Sequence, residues 1–246
     1  LKLLVDSIQS SKFITARKSN ELIRKLESLC SEYEAKKLQR QVYVSGRIKT
    51  MNESIYYNVD SIHNAITENK KIMFQYFQWN LKKEMELRHN GEMYHISPWG
   101  LSWNDENYYL VGYDSEDQMI KHYRVDKMLK IRMSDEPREG KKYFEKFDIG
   151  TYSRKNFSMF GGKEERVRLL MDNQMAGVVI DRFGKDISMV PVDDNHFSIS
   201  VDVVVSQQFF GWVFALGKGA KIIGPESVVQ QVNQEIRRLV EQYNME

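Results

Sequence analysis

Apolar positions along this chain follow three rhythms. Over the first 57 residues they recur at helical intervals: Leu1, Leu4, Val5 and Ile8, then Leu22, Leu26, Leu29 and Tyr33. Each set falls on one face of a helix. Thr15 suits the N-cap of the second helix, whose opposite face carries Arg24, Lys25, Glu27 and Glu32. A further helix is predicted over residues 58–69, with Val59, Ile62 and Ile66 inward. The period then shortens to two: Ile72, Phe74 and Tyr76 alternate with Met73, Gln75 and Phe77, as in a strand. Residues 85–88 make a second strand, and the turn after it holds Asn90-Gly91, the strongest short hairpin signal in the chain. A third strand starts near Met93 and passes Pro98, whose missing donor marks a bulge or an edge. Strands four and five cover residues 108–113 and 119–125. Five short strands joined by tight turns predict an SH3-like or Sm-like β-barrel.

Residues 134–163 break the pattern with Pro137, Gly140, Gly150, Gly161 and Gly162. They read as a linker, ordered in part by Tyr143, Phe144 and Phe147 packing on a neighbour. The third rhythm follows. Val167, Leu169 and Met171 alternate, Asn173 opens a helix containing Val178 and Val179, and Gly184 closes it. A strand over residues 187–192 and a turn at Asp193-Asp194-Asn195 lead to strict alternation at Phe197, Ile199, Val201, Val203 and Val205. Ser206 caps a helix with Phe209, Val213 and Leu216, closed by Gly217. A strand at residues 221–223 and a long helix after Pro225 complete the chain. The order βαββαβ plus a terminal helix is ferredoxin-like. The expected class is α+β: a helical segment 1–57, a barrel domain 58–133, a linker 134–163 and a ferredoxin-like domain 164–246.

Composition narrows the function. With 246 residues, 41% of them hydrophobic, the chain can build two cores. A net charge of +2 gives no strong basic field, so contact with nucleic acid needs a local patch. The single cysteine, Cys30, excludes an intramolecular disulfide and a cysteine-rich zinc site, and reads as a small buried hydrophobe. No apolar run reaches the length of a membrane span and no signal peptide precedes the first helix, so a cytoplasmic location is expected. The chain opens at Leu1 in the middle of a helical pattern, as a piece of a longer protein would. Lys36, Lys37, Arg40, Arg47 and Lys49 cluster after the second helix. They read as a solvated face, with contact to a DNA backbone as the rival reading. No helix-turn-helix is found in residues 1–57.

Residues 94–128 carry a likeness. Tyr108-Tyr109-Leu110 lies between Ser97-Pro98-Trp99-Gly100-Leu101 and His122-Tyr123-Arg124-Val125-Asp126-Lys127-Met128, all in order and at hairpin spacing. This stretch resembles the WYL domain, named for a Trp-Tyr-Leu triplet whose first position is Tyr108 here. The likeness runs from about Asn58 to the C-terminus. Residues 211–225, with Trp212, Gly217 and Pro225, resemble the extension that often follows WYL domains. The resemblance implies a transcriptional regulator with a winged helix-turn-helix upstream of this chain. It further implies a homodimer, DNA as a partner through that missing domain, and a barrel surface that senses ligands, oligonucleotides among them.

No enzyme is expected. The five histidines, His63, His89, His95, His122 and His196, include no pair at zinc-hydrolase spacing. There is no nucleophile elbow or P-loop. Gly217-Lys218-Gly219 follows a helix where a dinucleotide fingerprint precedes one. No metal or cofactor is expected either. Strand five holds the candidate binding chemistry. His122 and Arg124, two apart, share one face, while Tyr123 and Val125 share the core face. Arginine forks hydrogen bonds to phosphate and stacks on bases, and histidine adds a donor that charges near neutral pH. With Tyr94, Trp99, Tyr109, Tyr76 and Ser97 they form the expected ligand-binding set for single-stranded nucleic acid or a nucleotide-like anion. The bland reading pairs Arg124 with Asp126 or Asp114 and puts the rings in the core. Asp126 reads as a cap on the turn after strand five, and Trp79 and Trp103 as packing residues. Arg166 with Arg168, and Lys218 with Lys221, read as solvated charge, with extension of a ligand groove as the rival reading. The alternative function is a protein–protein assembly module whose aromatics are interface anchors.

Overall fold

The helical pattern of the N-terminal section gives α1 (Lys2–Ser10), α2 (Ala16–Glu27) and α3 (Glu32–Lys37) in a computed structural model that describes residues 1–37, 49–145, 157 and 162–243. Thr15 caps α2, its Oγ1 accepting from the Lys18 amide at 3.1 Å. The stripe expected to continue through Leu29 and Tyr33 does not: they are 72% and 69% exposed. The helix stops after Glu27, and Ser31 Oγ accepts from the Glu34 amide to start α3 in a new phase. Lys49 is neither solvated nor free for DNA. Its ammonium donates to the carbonyls of Ile8 and Ser11 and to Ser19 Oγ at 3.1, 2.8 and 2.9 Å, tying the returning chain to α1 and α2. Arg40 and Arg47 lie outside the described residues.

Two compact units divide the chain, Leu1–Phe147 and Asp148–Glu246. In the first, α4 (Ile55–Thr67) lays Ile55, Ile62 and Ala65 on a curled antiparallel half-barrel sheet. Its strands are β1 (Lys70–Trp79), β2 (Met85–Leu87), β3 (Tyr94–Asn104), β4 (Asn107–Asp114), β5 (Met119–Arg124) and β6 (Met128–Pro137). Strand β1 is central: β6 pairs with it on one side, and β3, β4 and β5 follow in order on the other. The alternating residues of these strands bury Ile72, Phe74, Ile96 and Leu110 beneath α4. Each such side chain stabilises the fold by about 1.5–3 kcal/mol.

Asn90-Gly91 is a turn but not a hairpin. Asn90 (φ 53°) and Gly91 (φ 83°) take the left-handed conformations expected of this pair, yet β2 and β3 do not pair with each other. Both pair with β1, Leu87 opposite Phe77 and Tyr94 opposite Phe74. The Asn-Gly turn is an excursion between two strands laid in succession along β1. The hairpin lies at residues 80–84, where Asn80 Oδ1 accepts from the amides of Lys82 and Glu84 at 2.9 Å each. The expected bulge at Pro98 is present, as a register shift between Pro98 and Gly100. Strand β6 was not foreseen, because residues 134–137 read as linker. Tyr143 and Phe144, on the single turn α5 (Lys141–Phe144), do pack as expected, stacking on Tyr113 and Trp99. Phe147 lies outside the described residues.

Phe13, between α1 and α2, anchors the helical section to this sheet. Its ring meets Trp103 and Tyr108 edge-on, both at 5.1 Å between centroids, and Tyr56 at 6.4 Å. Phe13→Ala is expected to cost about 2–3 kcal/mol. Urea unfolding should show the loss, and limited proteolysis should cut between α1 and α2 first.

The second unit contains β7 (Lys163–Asp172), α6 (Ala176–Phe183), β8 (Val190–Pro191), β9 (His196–Val205), α7 (Gln207–Ala215), β10 (Ala220–Gly224) and α8 (Glu226–Tyr243). The sheet order is β10-β7-β9-β8, antiparallel throughout. Val167, Leu169, Met171, Ile199 and Val203 face Val179, Phe209 and Val213 of α6 and α7 in one core. Ser206 caps α7 through the Phe209 amide, and Gly184 (φ 89°) ends α6. The strand expected over residues 187–192 shrinks to two residues, since Ile187 and Met189 turn into the core and Pro191 has no amide to donate. No helix among the described residues is long and apolar enough to cross a membrane.

Candidate ligand site

Strand register sorts the expected site residues. On β5, Arg124 lies opposite Tyr109 and His122 opposite Val111, while Tyr123 faces Leu110 in the core. His122, Arg124 and Tyr109 therefore share the outer face of the sheet. Tyr76 and Tyr94 are on the other face. Tyr94 stacks on Phe74 at 5.5 Å, and both tyrosines meet Tyr123 edge-on. Tyr76 still serves Arg124: its hydroxyl oxygen accepts from the Arg124 amide at 3.0 Å. Burial pushes that hydroxyl up to about 12, so it stays neutral.

The Arg124 guanidinium is held edge-on. Nε and Nη2 donate to the two Asp126 carboxylate oxygens at 3.0 and 2.8 Å, and Nη2 also donates to Asn107 Oδ1 at 2.8 Å. Burial disfavours its charge, but Asp126 outweighs that and holds the group above its usual value. The side chain remains 35% exposed. Nη1 donates to none of the described residues. Asp126 is thus an orienting carboxylate, not the turn cap expected of it. The turn is fixed by amides. Asn58 Nδ2 donates to the carbonyls of Val125 and Met128, and Asn52 Nδ2 to those of Asp126 and Met128.

Beside Arg124 is a cleft of about 590 Å³ with Phe77, Trp79, Met85 and Leu129 on the sheet side and Lys49–Glu53 on the other. This volume suits a nucleotide-sized ligand. Trp79, read from sequence as a packing residue, is 44% exposed here. Phe77, Trp79, Met51 and Met85 were missed as site residues. The signal was present in part: Phe77 and Trp79 alternate out of phase with Phe74 and Tyr76, which places them on the Arg124 face. Lys127 was missed too. Burial lowers its tendency to charge, as do the neighbouring Arg124 and Arg88.

His122 does not supply a cation. Burial alone drives its pKa down to about 4, so the ring is neutral at pH 7. Unfolding restores a pKa near 6.5. Between those values the unfolded chain binds the proton and the folded one does not, so stability falls as pH drops from 6.5 towards 4. The expected loss is on the order of 3 kcal/mol. Urea unfolding at pH 7 and pH 4.5 measures it, and His122→Gln should remove most of the difference.

Ser97 and Trp99 sit elsewhere on the outer face, beneath residues 136–144. Ser97 is fully buried and its Oγ accepts from the Glu139 amide at 2.9 Å. Trp99 Nε1 donates to the Glu139 carbonyl at 2.8 Å. The fold thus gathers His122, Tyr109 and Arg124, and separates them from Tyr76 and Tyr94 and from Ser97 and Trp99.

Against known families, residues 57–133 match the WYL domain and residues 163–240 the WCX domain. The chain belongs to the WYL-domain family, in the form with a WYL domain followed by a WCX domain. Among solved structures it is similar to proteasome accessory factor B/C (PafBC) of Arthrobacter aurescens, with 18% identity and a TM-score of 0.34, over 78% of this chain and 28% of that one. It is also similar to a CRISPR Cas-related protein, with 13% identity and a TM-score of 0.45, over 94% of this chain and 59% of that one. The chain thus spans 28% and 59% of the length of these two structures. No curated protein matches it.

Proposed function

We propose that this chain is the ligand-sensing part of a WYL-type transcriptional regulator, and that the Arg124 cleft takes a nucleotide-like anion or a short single strand. The observation that carries this is the fixed guanidinium with Nη1 left over, lining a cleft with a tryptophan and a phenylalanine on its walls. A phosphate would accept from Nη1, and a base would lie against Trp79. In this reading the first sheet is an Sm-like barrel domain and the second an independent ferredoxin-like domain, whose order β10-β7-β9-β8 is that expected of βαββαβ. The divisions 1–57, 58–133, 134–163 and 164–246 are then a helical segment, the barrel, a linker and the extension. DNA would be contacted by a domain outside this sequence, and two chains would pair so that the bound ligand biases how two such domains meet DNA.

Calorimetric titration with adenosine monophosphate and with five-residue oligo-dT, at rising salt, tests the reading. Binding that weakens steeply with salt supports it. No binding of either anion, at low salt and by a folded chain, overturns it and leaves the assembly-module alternative.

A further inference from the structure

Trp99 and its surroundings form a second site that the chain fills with its own residues. Residues 136–144 return across the outer face of the sheet. Phe144 lies on the Trp99 ring at 4.8 Å between centroids and 9° between planes, and the Arg138 guanidinium lies over Trp99 at 4.2 Å. Glu139 places Oε1 2.8 Å from Lys71 Nζ. Lys71 is buried, which opposes its charge, yet Glu139 and Glu136 together hold its pKa above the usual value. Glu139 is correspondingly held low by Lys71 and then by Ser115. The returning segment thus delivers a planar ring to a tryptophan face and a carboxylate to a buried ammonium. What it covers is a ring platform, a buried cation and a buried hydroxyl: Trp99, Lys71 and Ser97.

The geometry points to residues 139–144 acting as a built-in mimic of a nucleotide, Phe144 standing for the base and Glu139 for the phosphate. An external molecule with a planar heteroaromatic ring and an anionic group competes with them for Trp99 and Lys71. Nothing in this site overlaps the lining of the Arg124 cleft. The inference therefore goes beyond the proposed function and does not depend on it.

The test is made in chains that all carry Arg124→Ala. Phe144→Leu with Glu139→Gln removes the ring and the charge and keeps the bulk. Adenosine monophosphate and five-residue oligo-dT are titrated by calorimetry, and the Trp99 indole N–H is followed by NMR. The expected result is affinity at least tenfold higher than in Arg124→Ala alone, a shifted Trp99 signal, and loss of the gain on adding Arg138→Gln. A gain for the mononucleotide assigns a free nucleotide, and a gain for oligo-dT alone assigns a strand end. No gain for either, in a variant that still melts cooperatively, overturns the proposal. If Phe144→Leu does not fold, Glu139→Gln alone must still raise affinity at least threefold, and no rise overturns the proposal equally. Failure of the Arg124 cleft would instead appear as equal binding by the wild-type chain and Arg124→Ala.

Discussion

Arg124→Ala is expected to weaken binding of a nucleotide-like anion by a factor of about 30 to 5,000, corresponding to about 2–5 kcal/mol for removing one member of a partly desolvated charge pair. The loss has two parts. The ligand loses the Nη1 donor, and Asp126 is left as a half-buried carboxylate that repels an incoming anion. Arg124→Lys separates them, since it keeps the charge but cannot make the two-pronged contact with Asp126. It should recover only part of the affinity. Asp126→Asn leaves the guanidinium charged and less firmly oriented, and should cost less than Arg124→Ala. The reading fails if calorimetry gives Arg124→Ala the same affinity as the wild-type chain, provided the wild type binds.

The second large effect falls on stability. Asn58 is buried on α4, and its one amide nitrogen serves the Val125 and Met128 carbonyls at 3.2 and 2.9 Å. Asn58→Leu fills the space but takes one donor from each carbonyl, leaving Val125 with the Met128 amide and Met128 with Asn52. A cost of about 1–2 kcal/mol follows, the net worth of buried hydrogen bonds whose acceptors keep another partner. That corresponds to a Tm lower by roughly 3–6 °C. Asn52→Ala, on the less buried partner of the same turn, should cost less, since Asn58 still serves Met128. The Val125–Lys127 turn joins Arg124 to β6, so Asn58→Leu should also weaken ligand binding. Differential scanning calorimetry tests the first effect, and titration at a temperature where the variant remains folded tests the second.

Local pattern was enough wherever the cause was local. The capping of α2 by Thr15, the Pro98 bulge, the closure of α6 by Gly184 and the alternation of β7 and β9 all follow from neighbours in sequence. Where pattern failed, a distant partner had decided. Asn90-Gly91 has the right backbone for a hairpin, but a ten-residue β1 offered pairing to both flanking strands and made the turn an excursion. Strand β6 was hidden because its pairing with β1 lies about sixty residues away in sequence, and no local period reports that.

By itself the sequence determined which residues share a face within one strand, His122 with Arg124 and Tyr123 with Val125. Periodicity is a property of the backbone and needs no knowledge of what lies across from it. Only the tertiary structure decided what each face meets. It left His122 uncharged by burying it, fixed Arg124 between Asp126 and Asn107, brought Phe77 and Trp79 to the same cleft, and covered Trp99 with Phe144. Charge state and access depend on the solvent that remains after the chain closes on itself, and that is set by residues far away along the chain.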